Sequence, residues 1–494
     1  MLPPARHGRA DTRLVVPVLL LGVVSYALIQ SLIAPVLPVI QQDLHTTQST
    51  VTWVLTVNLL SASIFTPILG RLGDRAGKQK VLLFTLVALA AGSAISAVAP
   101  NIGVMLVGRA VQGLGGGVLP LAFGIVRDTL PRPRVAGAVG LVAAVLAIGT
   151  GLGVVLAGPI VDVLDYRALF WLPMIMVLIA AAVTYARMPA SGVRAPGRFS
   201  WTASVLLAAW LVALLVPLTE AARWGWGSTR VLSLLLAAVV LAAAWIVVET
   251  RSASPLIDMR MMRTPAVWTT NLVALLFGVG LYGLLGFLPA FVQTPPSAGY
   301  GFGASVTRAG LLILPMSVAM FASGLAAPRL THRFGAKAVL VGGTLFAVAS
   351  FAILTLAHDH QWQILIAMAV LGLGFGAAFA TMSNVVVAAV PAHQTGVANG
   401  MNANIRTIGG SLGAALMASI VSAQALPNGL ATEDGYRYGF AALGIAAIGA
   451  ALAALLVPRN HQHAAEPVAP ARDEEAYAEA AVAGVPGLEA EATA

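Results

Sequence analysis

Apolar runs of membrane-crossing length, broken by short polar connections, repeat fourteen times along this chain. They lie near 14–38, 51–70, 81–99, 102–125, 135–159, 168–186, 201–219, 231–249, 267–292, 309–328, 337–357, 362–387, 397–422 and 439–457. A hydrocarbon layer about 30 Å thick takes roughly 20 helical residues to cross, and a helix satisfies its own backbone bonds there. The pattern predicts an all-α polytopic membrane protein of fourteen spans. Strands of a membrane barrel would show as alternating segments of about ten residues, and that alternation is absent. Gly and Pro recur inside the runs, as membrane helices tolerate.

Composition strengthens this reading. The chain is 59% hydrophobic and 10% charged, against about 25% charge in soluble domains, so a soluble fold would expose too much apolar surface. Its formal charge of +9 follows from how Lys and Arg are distributed. With an even number of spans, both termini share one side. On that side fall twenty-one basic residues, including Arg71, Arg75, Lys78, Lys80, Arg127, Arg132, Arg134, Arg329 and Arg333; the other side has five, Arg167, Arg223, Arg230, Arg308 and Arg437. The positive-inside rule then puts both termini in the cytoplasm of a protein in the plasma or inner membrane. The basic charge marks orientation and anionic headgroups rather than nucleic acid.

The first span, with Gln30 and prolines inside it, does not read as a cleaved signal. The absence of cysteine excludes disulfides and thiol catalysis. Residues 459–494 are poor in large apolar side chains and predict a disordered cytoplasmic tail, in which His461 and His463 are solvated rather than metal ligands.

An internal repeat organises the spans. GRLGDRAGK at 70–78 returns as PRLTHRFGA at 328–336, GLGGG at 113–117 as GLGFG at 372–376, and GTGLG at 149–153 as GGSLG at 409–413. The offsets are 258, 259 and 260. Such constancy predicts two homologous six-helix halves with two helices inserted between them. The expected division is 1–13 N-terminal segment, 14–190 first half, 191–260 linker and extra helices, 261–458 second half, and 459–494 tail. Two halves without a soluble catalytic domain point to alternating access around a central cavity, closed by one chain acting as a monomer. No nucleophile set, carboxylate pair or His cluster lies in the spans, so neither an enzyme, a metal site nor a cofactor is predicted.

GRLGDRAGKQK at 70–80, RAVQGLGGG at 109–117 and the inserted pair of spans resemble the 14-span drug:proton antiporter family of the major facilitator superfamily, over about residues 10–458. The resemblance implies the major facilitator fold and export of amphipathic or hydrophobic drugs or metabolites, with protons as the exchanged partner. It implies that Arg109 belongs to the coupling region. Two departures stand out. LIQS at 28–31 places Ile29 where the family has an acid, and GTGLGVVLAG at 149–158 has Val154 in place of the family's proline while keeping Gly149, Gly153 and Gly158 as packing or hinge positions. Lipid or metabolite transport, possible without coupling, and a non-transporting receptor are the alternative readings.

The loop motif can also be read from its chemistry. Gly70 and Gly77 would permit a tight turn, and Asp74 would cap a neighbouring helix and pair with basic residues in only one conformational state. With Arg71, Arg75 and Lys78 they make a candidate gate; the second copy has His332 in place of Asp74. Arg109 is the only basic residue within the first-half spans. Buried in hydrocarbon, it needs a cavity, an anion or carbonyls. Gln112, one turn on, would share its surroundings. Arg406 is the second buried charge, with Asn399 and Asn402 on its stripe, while Asn404 faces elsewhere as interhelical glue. Asp162 and Glu220, near outer span ends, are the nearest acids to an open cavity. Gln30, Asn58, Asn271, Tyr282 and Gln293 complete the candidate lining. Two buried arginines without a facing acid would leave this cavity neutral-to-positive, suited to neutral or anionic amphiphiles.

Overall fold

The computed structural model describes residues 12–46, 48–188, 200–252, 255–423 and 431–458. The expected tail with His461 and His463, most of the N-terminal segment and the linker residues 191–199 lie outside them. Among the described residues there are fourteen membrane-length helices: α1 Leu14–Val36, α2 Trp53–Ala76, α3 Lys78–Ala97, α4 Ile102–Thr129, α5 Arg132–Val163, α6 Ala168–Arg187, α7 Trp201–Ala221, α8 Thr229–Arg251, α9 Pro265–Gln293, α10 Val306–Phe334, α11 Ala336–Leu356, α12 Gln361–Ala389, α13 Ala392–Ser422 and α14 Glu433–Leu456. The protein is thus a multi-pass membrane protein of two six-helix halves, α1–α6 and α9–α14, with the inserted pair α7 and α8.

Short polar residues start several of the helices. Asn101, Ser200, Ser228, Ser305 and Thr432 each accept a hydrogen bond from the backbone N–H three residues on, satisfying a donor that the helix itself leaves open. The helices overrun the apolar pattern. α2 continues past 70 through Arg71, Asp74 and Arg75 before the chain turns at Gly77, whose φ of 107° suits glycine. Gly335, 258 residues later, turns the second copy with φ 84°. Gly70 therefore does not make a turn, correcting the expectation. It lies within the helix, where it permits close approach to α13.

The repeat is visible in the packing. In the first half, the glycines of α4 press on α2: a Cβ at Gly113 would collide with Ser61, and one at Gly116 with Thr66. In the second half, Gly372 and Gly376 of α12 stand in the same way against Met316 and Met320 of α10. Absent side chains let the helices approach closely, which drives association where lipid offers no hydrophobic gain.

Call the end carrying residues 70–80 the motif end and the opposite one the far end. The halves meet along two seams. α5 packs on α10 over its whole length, from Gly140 against Gly324 and Pro328 to Gly158 against Thr307. α2 packs on α13 from the motif end inward. α7 lies over the second seam, where Ala203, Leu207 and Leu211 join Ile64 and Ile68 of α2 and Val397, Ala398 and Met401 of α13 in one apolar cluster. α8 rests chiefly on α7 and turns Leu232, Leu236, Val239 and Val240 outward, as a lipid-facing helix does. At the far end, Tyr166 donates to Asp43 at 3.0 Å. Burial first, and that bond second, push its hydroxyl up to about 12, so the donor is retained throughout neutral pH.

Candidate functional site

At the motif end, Asp74 lies fully buried on the last turn of α2 and reaches across the second seam. Its two oxygens accept from the backbone N–H groups of Gly396 at 3.3 Å and Val397 at 3.1 Å, at the start of the main helical run of α13. A carboxylate there meets open donors and the positive end of the helix dipole. The approach depends on two facing glycines. A Cβ at Gly70 would come within 2.6 Å of the Gly396 carbonyl oxygen, and one at Gly396 within 2.8 Å of the Gly70 carbonyl oxygen.

Lys78, also fully buried, sits 3.3 Å from Asp74 and 2.7 Å from Asp128. Asp128, on the last turn of α4, completes a buried group of one ammonium and two carboxylates. As an acid near a span edge it carried no mark in the sequence, and its partner is 50 residues away. Its neighbour Arg127 donates to the Thr395 hydroxyl at 2.7 Å, tying α4 to the start of α13. Arg71 and Arg75 are half-buried, with Asp74 and Glu249 in the electrostatic surroundings of Arg71. Glu249, at the end of α8, accepts from Leu256 N at 2.8 Å and Ile257 N at 3.2 Å. The other seam closes differently: His332 is exposed, and Asn384 of α12 donates to the Ala136 carbonyl of α5 at 3.4 Å.

A buried ion group that loses one member keeps the desolvation cost without its compensation. Lys78→Met, which leaves two carboxylates facing each other, is expected to destabilise the protein by about 3–5 kcal/mol. Adding Asp128→Asn should recover part of the loss. Thermal unfolding of the purified variants checks this, and equal losses in the single and double variants would contradict the coupling.

Nearer mid-depth, Arg109 is 1% exposed. Its Nε donates to the Val54 carbonyl at 2.9 Å and its Nη1 to Gln112 Oε1 at 2.6 Å. Gln112 Nε2 donates to Ser93 Oγ at 2.8 Å, and Asn58 Nδ2 to the Arg109 carbonyl at 3.1 Å. The network binds α2, α3 and α4 together within the first half. Backbone carbonyls thus supply part of what a buried guanidinium requires.

Arg406, half-buried midway along α13, holds its Cζ 4.4 Å from the Phe379 ring centroid, with Tyr282 beside it. Tyr26 of α1 is near enough to Arg109, Arg406 and Tyr282 to interact electrostatically with each, and receives a hydrogen bond from Gln30 at 3.3 Å. These residues bring α1, α4, α9, α12 and α13 to one place between the halves. Tyr26 and Phe379 were not singled out by sequence reasoning, since an isolated aromatic in an apolar run carries no signal.

The remaining candidates scatter. Asn402 donates to Asn271 at 2.9 Å, joining α13 to α9, and Asn399 bonds its own helix at Thr395 O, 3.0 Å. Gln293 likewise bonds Pro289 O at 3.0 Å. Asp162 is exposed at the end of α5, and Glu220 of α7 pairs with Arg223 at 2.8 Å. Gly149 and Gly153 face α1 at Ala27 and Ser31, whereas Gly158 faces α10 at Thr307. Asn404, expected to bond between helices, has neither side-chain polar atom paired among the described residues.

Known proteins are similar to this chain in sequence or in fold. The sequence is 29% identical to the tetracenomycin C resistance and export protein of Streptomyces glaucescens over 409 residues, covering 82% of this chain and 74% of that one. It is 25% identical to the multidrug transporter protein MdtP of Bacillus subtilis over 426 residues, covering 85% and 77%. The fold matches the human organic anion transporter MFSD10 (TETRAN) with a TM-score of 0.66 and 17% identity, over 90% of this chain and 99% of that one. The family model of the Major Facilitator Superfamily matches residues 19–414 and 295–486. With that match spanning most of the sequence, the chain belongs to the Major Facilitator Superfamily.

Proposed function

We propose that this protein exports hydrophobic or amphipathic small molecules across the cell membrane by alternating access, in exchange for protons. The observation that carries the reading is the second seam. Asp74 on the start of α13, with Gly70 against Gly396, is a contact between halves that a rocking motion must break. Relatives with export and multidrug transport in their names support the direction and the substrate type. The working units are 14–190 and 261–458, in one monomer embedded in the bilayer, with both termini in the cytoplasm.

Coupling is assigned to the motif end. Protonating Asp74 removes a negative charge that Lys78 and the α13 amides hold, so proton entry weakens the closed seam. This route does not use an acid in α1, where Ile29 is 1% exposed. One observation favours a second reading, an uncoupled facilitator of a lipid or a single metabolite: among the described residues no salt bridge reaches Arg109 or Arg406 at mid-depth.

Reconstituted vesicles separate the two. Substrate flux that rises with an imposed pH gradient and moves protons in return is the expected result; equal flux with and without the gradient would establish the facilitator instead. Orientation is checked on the cysteine-free background by labelling Arg75→Cys and Arg223→Cys with a membrane-impermeant maleimide. They should react from opposite sides, and reaction from the same side would overturn the topology.

A further inference from the structure

We propose that the central site receives an amphipathic organic anion, with the Arg406 guanidinium anchoring its acidic group. This rests on the transport reading and specifies the substrate class of the same site.

The charge distribution carries the argument. Lys78, Arg109 and Arg406 are basic side chains held among the helices, and each is compensated differently. Lys78 has two carboxylates within 3.3 Å. Arg109 has the Val54 carbonyl and Gln112 of its own half. Arg406 has the face of Phe379 and the neighbouring phenols Tyr282 and Tyr26, and no carboxylate pairs with it among the described residues. A cation held over an aromatic ring gains about 0.5–2 kcal/mol, and the Tyr282 hydroxyl adds a neutral partner, so the charge itself is not neutralised. The centre is therefore left with positive charge and aromatic surface.

Such a site disfavours a second cation and offers a planar fork to a carboxylate or sulfonate, whose bonds to guanidinium are charge-assisted and bidentate. Phe379 and Tyr282 supply flat apolar surface for the rest of the molecule. Arg406 stands on the second half and Tyr26 on the first, so an anion bound between them would touch both halves. Its affinity then differs between conformations, as a transported substrate requires.

The test uses two probes with one ring framework, 1-anilinonaphthalene-8-sulfonate and the uncharged N-phenyl-1-naphthylamine, binding to the full-length protein in nanodiscs with empty nanodiscs subtracted. Arg406→Gln should weaken the sulfonate by about tenfold or more while changing the neutral probe by less than about twofold, and Arg406→Lys should fall between. Thermal unfolding of each variant shows that it is folded, and Tyr282→Phe, which keeps the ring and the charge, provides a second test with a smaller loss of the sulfonate. Equal losses for both probes would overturn the proposal and make Arg406 a packing residue. So would tighter binding of the cation ethidium than of the sulfonate to the wild-type protein. Arg406-dependent sulfonate binding without flux in vesicles would uphold the anion site and refute transport; flux of neutral or cationic compounds, with sulfonate binding indifferent to Arg406, would do the reverse.

Discussion

Gly70→Leu is expected to drive the protein out of the arrangement closed at the motif end and to cut transport at least about fivefold. The smallest added atom at this position meets the carbonyl oxygen and carbon of Gly396 at 2.6 and 2.8 Å. Both are backbone atoms of a packed helix and cannot rotate aside. Overpacking of this kind costs about 1–3 kcal/mol, which shifts a two-state equilibrium by roughly 5- to 150-fold. In the proposed alternating-access cycle the cost falls on one state only, because α2 and α13 would touch here only when the seam is closed. Asp74→Asn should act in the same direction by another route. The amide retains an acceptor for α13 but loses the charge that faces Lys78, so interconversion slows and the resting state shifts while substrate still binds. Transport and binding measured together check both variants; unchanged transport in Gly70→Leu would show that the seam does not open during the cycle.

Arg109→Ala is expected to abolish or sharply reduce turnover, by about 100-fold or more. Loss of a buried charged donor costs about 1.5–3 kcal/mol per bond, and here the Val54 carbonyl and Gln112 Oε1 lose their partner together. Three helices of the first half then lose their common tie. The protein should still insert, since its spans are set by apolar length. Substrate flux beside thermal unfolding checks this, and full flux in a stable variant would contradict it.

The fourteen spans were legible because hydrocarbon thickness fixes the length of an apolar run. The ends of the spans were less so. α2 was expected to stop near 70 but runs to Ala76, and α5 extends from Arg132 to Val163, because charged and polar residues continue a helix once their side chains find partners. Arg109 stood out, as an arginine in an apolar run has few bland explanations. Its partner at Val54 did not, since that acceptor is a backbone carbonyl. Asp128 resembled a loop acid until folding brought it to Lys78. Gly70 and Gly77 looked alike in the motif, yet one provides contact and the other a turn, a difference set by the facing helix and the local φ rather than by residue type.

The account stands on a seam that closes and opens at the motif end, and the absence of cysteine allows it to be measured directly. Spin labels at Ala76→Cys and Arg333→Cys, both exposed at the motif ends of α2 and α10, report the separation of the halves by pulsed dipolar spectroscopy. The prediction is a short-distance population in the wild-type protein that gives way to a longer one in Gly70→Leu and Asp74→Asn. A single distribution, unchanged by either substitution and by a pH gradient across the vesicle, would contradict the account.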